Sequence, residues 1–168
     1  CTIGAVTVAL EAGLKESHEG ENEVVLEAPA GLIRTTALVK DGKVEHVTLT
    51  NVPAFVYKEN ISVTIDGKEI PLTISFGGSF FALVDSTKLD IGEICPKNVV
   101  KYEELGMKIL DAVNKEHPVK HPLLDIDSVD LVEFYGPTPN PDKATMRNVV
   151  IFGDAMADRS PCGPGTSA

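Results

Sequence analysis

The residues best suited to do chemistry lie in the segment DRSPCGPGTSA, residues 158–168. Cys162 precedes a glycine in a run that predicts a helix start. A thiol at a helix amino terminus meets the positive end of the helix dipole and unpaired N–H groups, which lower its pKa and attract a carboxylate. Gly163 lets the backbone approach a ligand closely, and Asp158 is placed to bind an amine. The pattern predicts a site for an α-amino acid, with its Cα above the sulfur.

Each of these residues also has an ordinary structural interpretation that stays open. Cys162 fits an inert buried thiol, Ser160 a helix cap, and Asp158 a loop or capping residue. Cys95 is predicted to be a structural or surface thiol. The remaining polar candidates are interpreted as solvated histidines or as the wet face of a helix: His18, His46, His117 and His121, and Glu103, Glu104, Lys108 and Asp111.

The composition limits the class of protein. The 168 residues suffice for one domain or two small ones, and the 43% hydrophobic content predicts a real core. The formal net charge of −10, from 25 acidic and 15 basic residues, argues against nucleic acid or an anionic membrane as a partner. The three cysteines have no CxxC spacing, which argues against a zinc site and a disulfide framework.

The sequence also bears on location. It has no signal-peptide pattern and no apolar run long enough to span a membrane. Free thiols favour a reducing compartment, so we expect a cytoplasmic protein. Because there is no initiator Met, we expect the sequence to be a piece of a longer chain or a processed one.

Hydrophobic patterning predicts the elements of the amino-terminal part. Residues 2–14 are apolar nearly all round, which fits either a buried helix or a strand, and their length, alanines and terminal Gly13 favour the buried helix. β-Branched runs follow, and hairpins are predicted at the dipeptides Asp41-Gly42 and Asp66-Gly67. After a Gly-Gly kink, residues 79–85 are typical of a buried strand.

The carboxyl-terminal part supplies the elements that must position the cysteine. Residues 97–116 predict an amphipathic helix, interrupted only by Gly106. Two strands, VDLVEFYG and RNVVIFG, flank the loop PTPNPDKA. The dipeptide Ser160-Pro161 predicts the start of a second helix. The fold class is therefore mixed α/β, or α+β, dominated by antiparallel hairpins.

These motifs resemble a known family. NVVIFGDAMADRSPCGPGTSA is similar to the hallmark segment of the proline racemase family, which usually reads DRSPCGTGTSA. TIGAVTVALEAG resembles the segment after that family's first cysteine, normally CGHGTIG. EAPAGLIR, VPAFVYKE and SFGGSFFALVD also match, in order. The resemblance covers the whole chain.

The resemblance implies a fold like that of diaminopimelate epimerase. Such a fold has two pseudo-symmetric halves of mostly antiparallel sheet, each wrapped around a central helix. Residues 1–58 would be the remainder of the first half and residues 59–168 the first part of the second, truncated at both ends. The resemblance also implies a homodimeric full-length protein and no pyridoxal phosphate or metal cofactor.

The resemblance further implies a racemisation mechanism. One cysteine thiolate removes the α-proton and an opposing thiol returns one on the other face. Cys162 would be one of the pair and Cys1 its partner. Asp158 would bind the substrate nitrogen, and the N–H of Gly163 its carboxylate. Phe152 matches a family aromatic that packs on the proline ring, although a plain strand-core phenylalanine fits it as well.

The substrate expected from the resemblance is proline. VIFGDAMADRSPCG is similar to the proline racemases, whereas 4-hydroxyproline epimerases usually carry LCPG in the last strand. Dehydratases of 3-hydroxyproline have Thr for the first cysteine. The alternatives are a 4-hydroxyproline 2-epimerase and a catalytically inactive fragment.

The chain departs from the family pattern in three respects. Cys1 runs directly into Thr2 where the family has Gly-His-Gly, so its catalytic role stays open. Pro164 replaces a Thr whose N–H binds the substrate carboxylate, and proline has no N–H. The family's outer segments are missing, so we expect the chain alone to be poorly stable or inactive.

Overall fold

The computed structural model describes residues 2–168, so Cys1 lies outside the described residues. The chain divides into two compact units, Cys1–Val52 and Pro53–Ala168. Each unit combines a β-sheet with helix, which confirms the α+β class. Among residues 2–168, no helix is both long enough and apolar enough to cross a bilayer.

The first unit is a helix and a three-stranded antiparallel sheet. Its elements are α1 (Thr2–Glu11), β1 (Gly20–Ala28), β2 (Gly31–Lys40) and β3 (Lys43–Thr50), and the strand order is β1-β2-β3. The predicted turn at Asp41-Gly42 is confirmed, with φ of 50° and 71°. Such left-handed values at both central residues match the twist of a two-residue hairpin.

Helix α1 is confirmed, but it is not buried all round within this unit. Val6 and Leu10 pack with residues of β1 and β2, whereas Ile3 and Val8 are 52% and 58% exposed. A helix on one face of a single sheet covers only one stripe of its own surface. The apolar composition therefore predicted more burial than the unit provides.

The second unit is built on a six-stranded mixed sheet. Its strands are β4 (Phe55–Ile65), β5 (Lys68–Phe76), β6 (Phe80–Asp85), β7 (Val129–Gly136), β8 (Arg147–Phe152) and β9 (Met156–Ala157), in that spatial order. β6 and β7 are parallel, and the other neighbours are antiparallel. The predicted division after residue 58 falls inside β4, because that strand begins only three residues beyond Val52.

One face of this sheet is covered by α2 (Val99–Glu116), which follows a single 3₁₀ turn at Pro96–Asn98. The helix buries Ile109 and Val113 completely. At Gly106 it comes so close to β8 that an added Cβ would lie 2.9 Å from Ile151. The glycine that interrupts the helical pattern is therefore the point of closest helix–sheet contact.

The opposite face carries α3 (Gly163–Ser167), and here one prediction is wrong. The helix begins at Gly163 rather than at Ser160-Pro161, because Cys162 has a φ of 56° and a ψ of 99°, which are not helical. The proline in the first turn is Pro164. The last residue is joined to β5 by a hydrogen bond of 2.7 Å from Ser75 Oγ to the carbonyl oxygen of Ala168.

Two histidines are less solvated than predicted. His117 Nε2 lies 2.9 Å from the carbonyl oxygen of Ser62. His121 Nδ1 faces the backbone N–H groups of Leu123 and Leu124, and its ring centroid lies 4.5 Å from that of Phe76. Both histidines thus hold in place the segment that connects α2 to β7.

Candidate active site

The candidate site lies on the face of the second sheet that carries α3. Residues directly opposite one another in β6, β7 and β8 point to the same face, since side chains alternate along a strand. Leu83, Glu133 and Val150 form one such row. The neighbouring row contains Phe81 and Phe152. Leu83, Val150 and the two phenylalanines are apolar, whereas Glu133 places a carboxyl group at the centre of this surface, beside the amide of Asn148.

Cys162 is the residue that joins α3 to this surface. It is 7% exposed, and it forms a cluster with Phe81 and Val150 against which Phe152 also packs. Its N–H donates to Ser160 Oγ over 3.2 Å. A left-handed φ is costly for a residue other than glycine, so the surrounding contacts must hold this backbone in place.

Asp158 is held beside the cysteine by the loop after β9. Its N–H donates to the carbonyl oxygen of Val150 over 2.8 Å, which ties the loop to β8. Its Oδ1 accepts from the N–H of Ser160 over 2.8 Å. Its carboxylate is close enough to affect the titration of the Cys162 thiol. Asp158 thus acts as a turn residue and also supplies negative charge near the thiol.

The electrostatics of the thiol differ from the sequence prediction. Burial raises the pKa of Cys162, and the negative charges of Asp158 and Glu133 raise it further, while the N–H of Gly165 acts in the opposite direction. The predicted lowering of the pKa is therefore wrong for this chain. Desolvation of the buried thiolate is the largest cause of this shift.

Three of the four remaining predicted site residues are also near the thiol. Gly163 is the first residue of α3, where a backbone N–H has no intrahelical acceptor. Pro164 follows and contributes no N–H. Phe152 is half-buried and packs against the cysteine cluster. The structure thus brings Phe152, Asp158 and Cys162 together with Gly163 and Pro164, whereas Cys1 lies outside the described residues.

Sequence reasoning missed two residues of this site. Glu133 is 5% exposed, and its Oε2 has no hydrogen-bond partner among the described residues. Its Oε1 accepts a hydrogen bond from Asn148. Burial raises the pKa of the Glu133 carboxyl, and the bond from Asn148 lowers it. The only sequence signal was an acidic residue within the otherwise apolar run LVEFY.

Two cavities flank the segment that carries Cys162. One, of about 450 Å³, is lined by Glu133, Asn148 and Gly165 among others. The other, of about 610 Å³, is lined by Asp158, Cys95 and Tyr102 among others. Both volumes fall in the range of small-molecule sites, about 300–1,000 Å³. Among residues 2–168, no group of three or more His, Cys, Asp or Glu side chains is placed to hold a metal ion.

The fold and the site define a class of α+β protein in which a buried cysteine precedes a helix on a mixed sheet, beside the carboxylate of Asp158. The chain belongs to the proline racemase family, which it matches over residues 1–168. The family assignment made from the motifs is thereby confirmed.

The relatives of the chain include proline racemases from two bacteria. The chain is 48% identical over 169 residues to proline racemase from Clostridioides difficile, covering 99% of this chain and 50% of that protein. It is 45% identical over 170 residues to proline racemase from Acetoanaerobium sticklandii, with the same coverage. The chain spans about half the length of the curated relatives it matches.

A solved structure supports the fold. A hydroxyproline epimerase from Agrobacterium vitis, with bound trans-4-OH-L-proline, matches with a TM-score of 0.92 and 36% identity. The match covers 99% of this chain and 48% of that chain.

Proposed function

We propose that this chain supplies the catalytic cysteines of a cofactor-independent amino-acid racemase that acts on proline. The observation that carries the proposal is the placement of Asp158 beside the buried thiol of Cys162. In this proposal, Asp158 binds the ammonium group of the substrate and Cys162 takes its α-proton. The identity of 48% to a proline racemase supports proline as the substrate.

The site chemistry follows from this placement. In the proposed step, the Cys162 thiolate takes the α-proton of the substrate and becomes a thiol, while the bonding electrons stay on the Cα as a carbanion. A second thiol, proposed to be that of Cys1, returns a proton to the opposite face and becomes a thiolate. In the reverse direction the two cysteines exchange roles.

Substrate binding itself would favour the thiolate. The carboxylate of Asp158 contributes to the raised pKa of Cys162. An ammonium group bound to Asp158 would offset that negative charge and so lower the pKa of the thiol. Exclusion of water by Phe152 and its neighbours would strengthen the same interaction. The free protein would thus hold a thiol, and the complex would favour its ionised form.

Circular dichroism of L-proline incubated with the chain tests the proposal. If the proposal holds, the signal decays with the wild-type chain and with Cys95→Ser, and it persists with Cys162→Ala. Cys95 is the matched control, because it is another free cysteine of the same unit. If the wild-type signal is constant while full-length C. difficile proline racemase is active in parallel, the proposal is wrong for this chain.

A second candidate is 4-hydroxyproline 2-epimerase activity. It is supported by the match to the A. vitis epimerase with bound trans-4-OH-L-proline. Parallel assays at equal concentrations of proline and trans-4-hydroxy-L-proline distinguish the two. Faster turnover of the hydroxylated substrate would replace proline in the proposal.

The third candidate is an inactive fragment, which the missing N–H at Pro164 and the raised pKa of Cys162 favour. Pyrrole-2-carboxylate, a planar analogue, should slow the alkylation of Cys162 by iodoacetamide if the pocket is formed. Protection without racemisation would support a binding-competent, inactive chain. Homodimer formation and a cytoplasmic location stay predictions.

A further inference from the structure

Asn148 links the buried carboxyl group of β7 to the turn that carries the cysteine. Its Nδ2 donates one hydrogen bond to Glu133 Oε1 and another to the carbonyl oxygen of Pro161, the latter over 3.0 Å. An amide nitrogen has two hydrogens, so both bonds can form at once. Thr166 Oγ1 also donates to the carbonyl oxygen of Pro161, over 2.9 Å. The residue before Cys162 is thus fixed from the sheet and from α3.

The turn that leads into Cys162 needs these hydrogen bonds, because its backbone conformation is unfavourable. Cys162 has a φ of 56°, which an L-residue other than glycine keeps only when its surroundings enforce it. Ser160 Oγ accepts the N–H of Cys162 but does not fix the preceding carbonyl group. The bond from Asn148 to Pro161 fixes that carbonyl and so restrains the peptide that leads into Cys162.

Glu133 supplies the other end of this link. It is buried at 5% exposure between β6 and β8, and Gly165 of α3 packs against its carboxyl group. A buried carboxyl group is a rigid acceptor for Asn148, because its strand has neighbours on both sides. It also brings negative charge toward the thiol from beneath, whereas Asp158 brings it from the loop.

We propose that Glu133 and Asn148 are positioning residues for Cys162: the carboxyl group orients the amide, and the amide holds the turn that presents the thiol. The inference rests on the proposed function, in which Cys162 is the acid/base. Neither residue contacts the reacting atoms in this proposal. They act by fixing the direction of the Sγ atom and by setting the charge around it.

The first experiment measures the alkylation of Cys162 by iodoacetamide in the 168-residue chain, followed by peptide mass spectrometry over a range of pH. In Asn148→Ala we expect the high-pH plateau rate at Cys162 to rise about fivefold, the factor that one lost hydrogen bond is worth. Asn114→Ala is the matched control. That side chain also ties two elements together, α2 and β7, through the carbonyl oxygen and the N–H of Val129, and its helix covers the opposite face of the sheet from α3.

The second variant, Glu133→Gln, keeps an oxygen acceptor for Asn148 but removes the charge. The charges that face the thiol are those of Asp158 from its loop and Glu133 from β7, with the N–H of Gly165 from α3. We expect the midpoint of the alkylation profile to move to lower pH. Glu69→Gln, an exposed acid of β5, should leave it unchanged.

The outcomes separate the two proposals. Equal acceleration by Asn148→Ala and Asn114→Ala would mean general loosening and overturn the positioning role. An unchanged midpoint in Glu133→Gln would overturn the other part of the proposal, that Glu133 sets the charge around the thiol. If Asn148→Ala does not fold, the midpoint in Glu133→Gln decides. Alkylation needs no turnover, so absent racemisation by the wild-type chain counts against the proposed function alone.

Discussion

Gly165 lies directly against the carboxyl group of Glu133. A Cβ at residue 165 would overlap Oε2 and would lie 3.1 Å from Cδ and 3.2 Å from Phe81 Cε1. The second glycine of the CGPG run is therefore needed for close packing, since the contact joins α3 to the centre of the sheet. Because Cys162 directly precedes this short helix, three residues from Gly165, the depth of the thiol depends on this contact.

Gly165→Ala should destabilise the second unit by about 1–3 kcal/mol, the usual cost of overpacking a core. Gly163→Ala is the matched control, because nothing lies within 4 Å of a Cβ there, and it should change stability little. Urea unfolding followed by far-ultraviolet circular dichroism measures both. Equal stability of the two variants would contradict the packing argument.

The buried carboxyl group predicts a pH-dependent stability. Burial raises the pKa of Glu133 in the folded chain. Its contribution to stability is therefore fully present below its unfolded pKa and is lost as pH rises through its folded pKa. Glu133→Gln removes this titration. At neutral pH we expect the variant to be more stable than the wild type, by about 1–3 kcal/mol, because an ionised carboxyl group costs more to bury than a neutral amide of the same shape.

The difference in unfolding free energy between Glu133→Gln and the wild type should shrink in acid. As pH falls below the folded pKa of Glu133, the wild type regains stability and the two proteins converge. Unfolding free energies of both chains from neutral to acid pH, with Glu69→Gln as control, measure this. A constant difference at every pH would show that Glu133 does not titrate as described.

Sequence reasoning succeeded where structure is local. The hairpin turns follow from Asp-Gly pairs, whose residues Asp41 and Asp66 adopt φ of 50° and 51°. Helix α2 follows from its apolar period, and its predicted span, residues 97–116, differs from Val99–Glu116 by one 3₁₀ turn. Each of these features depends on residues only a few positions apart.

The failures concern residues whose environment comes from distant parts of the chain. Ser160-Pro161 has the composition of a helix start, but the positive φ of Cys162 delays the helix. The pKa of Cys162 is raised because β6 and β8 bury it, and no local pattern reports that burial. Glu133 and Asn148 were missed because their pairing depends on the register of β7 and β8.

We expect any residue larger than glycine at position 106 to destabilise the contact between α2 and β8. An alanine would place its Cβ 2.9 Å from Cβ and Cγ2 of Ile151. The overpacking cost of about 1–3 kcal/mol exceeds or cancels the gain in helix propensity of about 1 kcal/mol. Gly4→Ala in α1, where nothing lies within 4 Å, should instead stabilise by about 0.5–1 kcal/mol.

Hydrogen–deuterium exchange of peptides from α1 and α2 reports the two helices separately. Protection of α2 should fall in Gly106→Ala, and protection of α1 should rise in Gly4→Ala. Increased protection of α2 would mean that Ile151 moves aside at little cost.

Because the pKa of Cys162 is raised, we expect its reaction with iodoacetamide to require a higher pH. Burial and the charges of Asp158 and Glu133 disfavour the thiolate in the folded chain. The midpoint of its alkylation profile should therefore lie at higher pH than that of the same cysteine in urea. Asp158→Asn should move the folded midpoint to lower pH, because it removes one of the two charges. If the alkylation midpoint of the folded chain lay at lower pH than that of the unfolded chain, the prediction that the helix dipole lowers the pKa of Cys162 would be correct after all.

Pro164→Thr tests whether a missing N–H limits the proposed activity. Threonine restores a backbone donor at the second position of α3, where the family pattern has one. A charge-assisted hydrogen bond to the substrate carboxylate is worth about 1.5–3 kcal/mol. We therefore expect kcat/KM for L-proline to rise about ten- to a hundredfold, measured by circular dichroism. Pro161→Thr is the matched control outside the helix and should give no gain. If Pro164→Thr leaves both racemisation and protection by pyrrole-2-carboxylate unchanged, residue 164 does not bind the carboxylate.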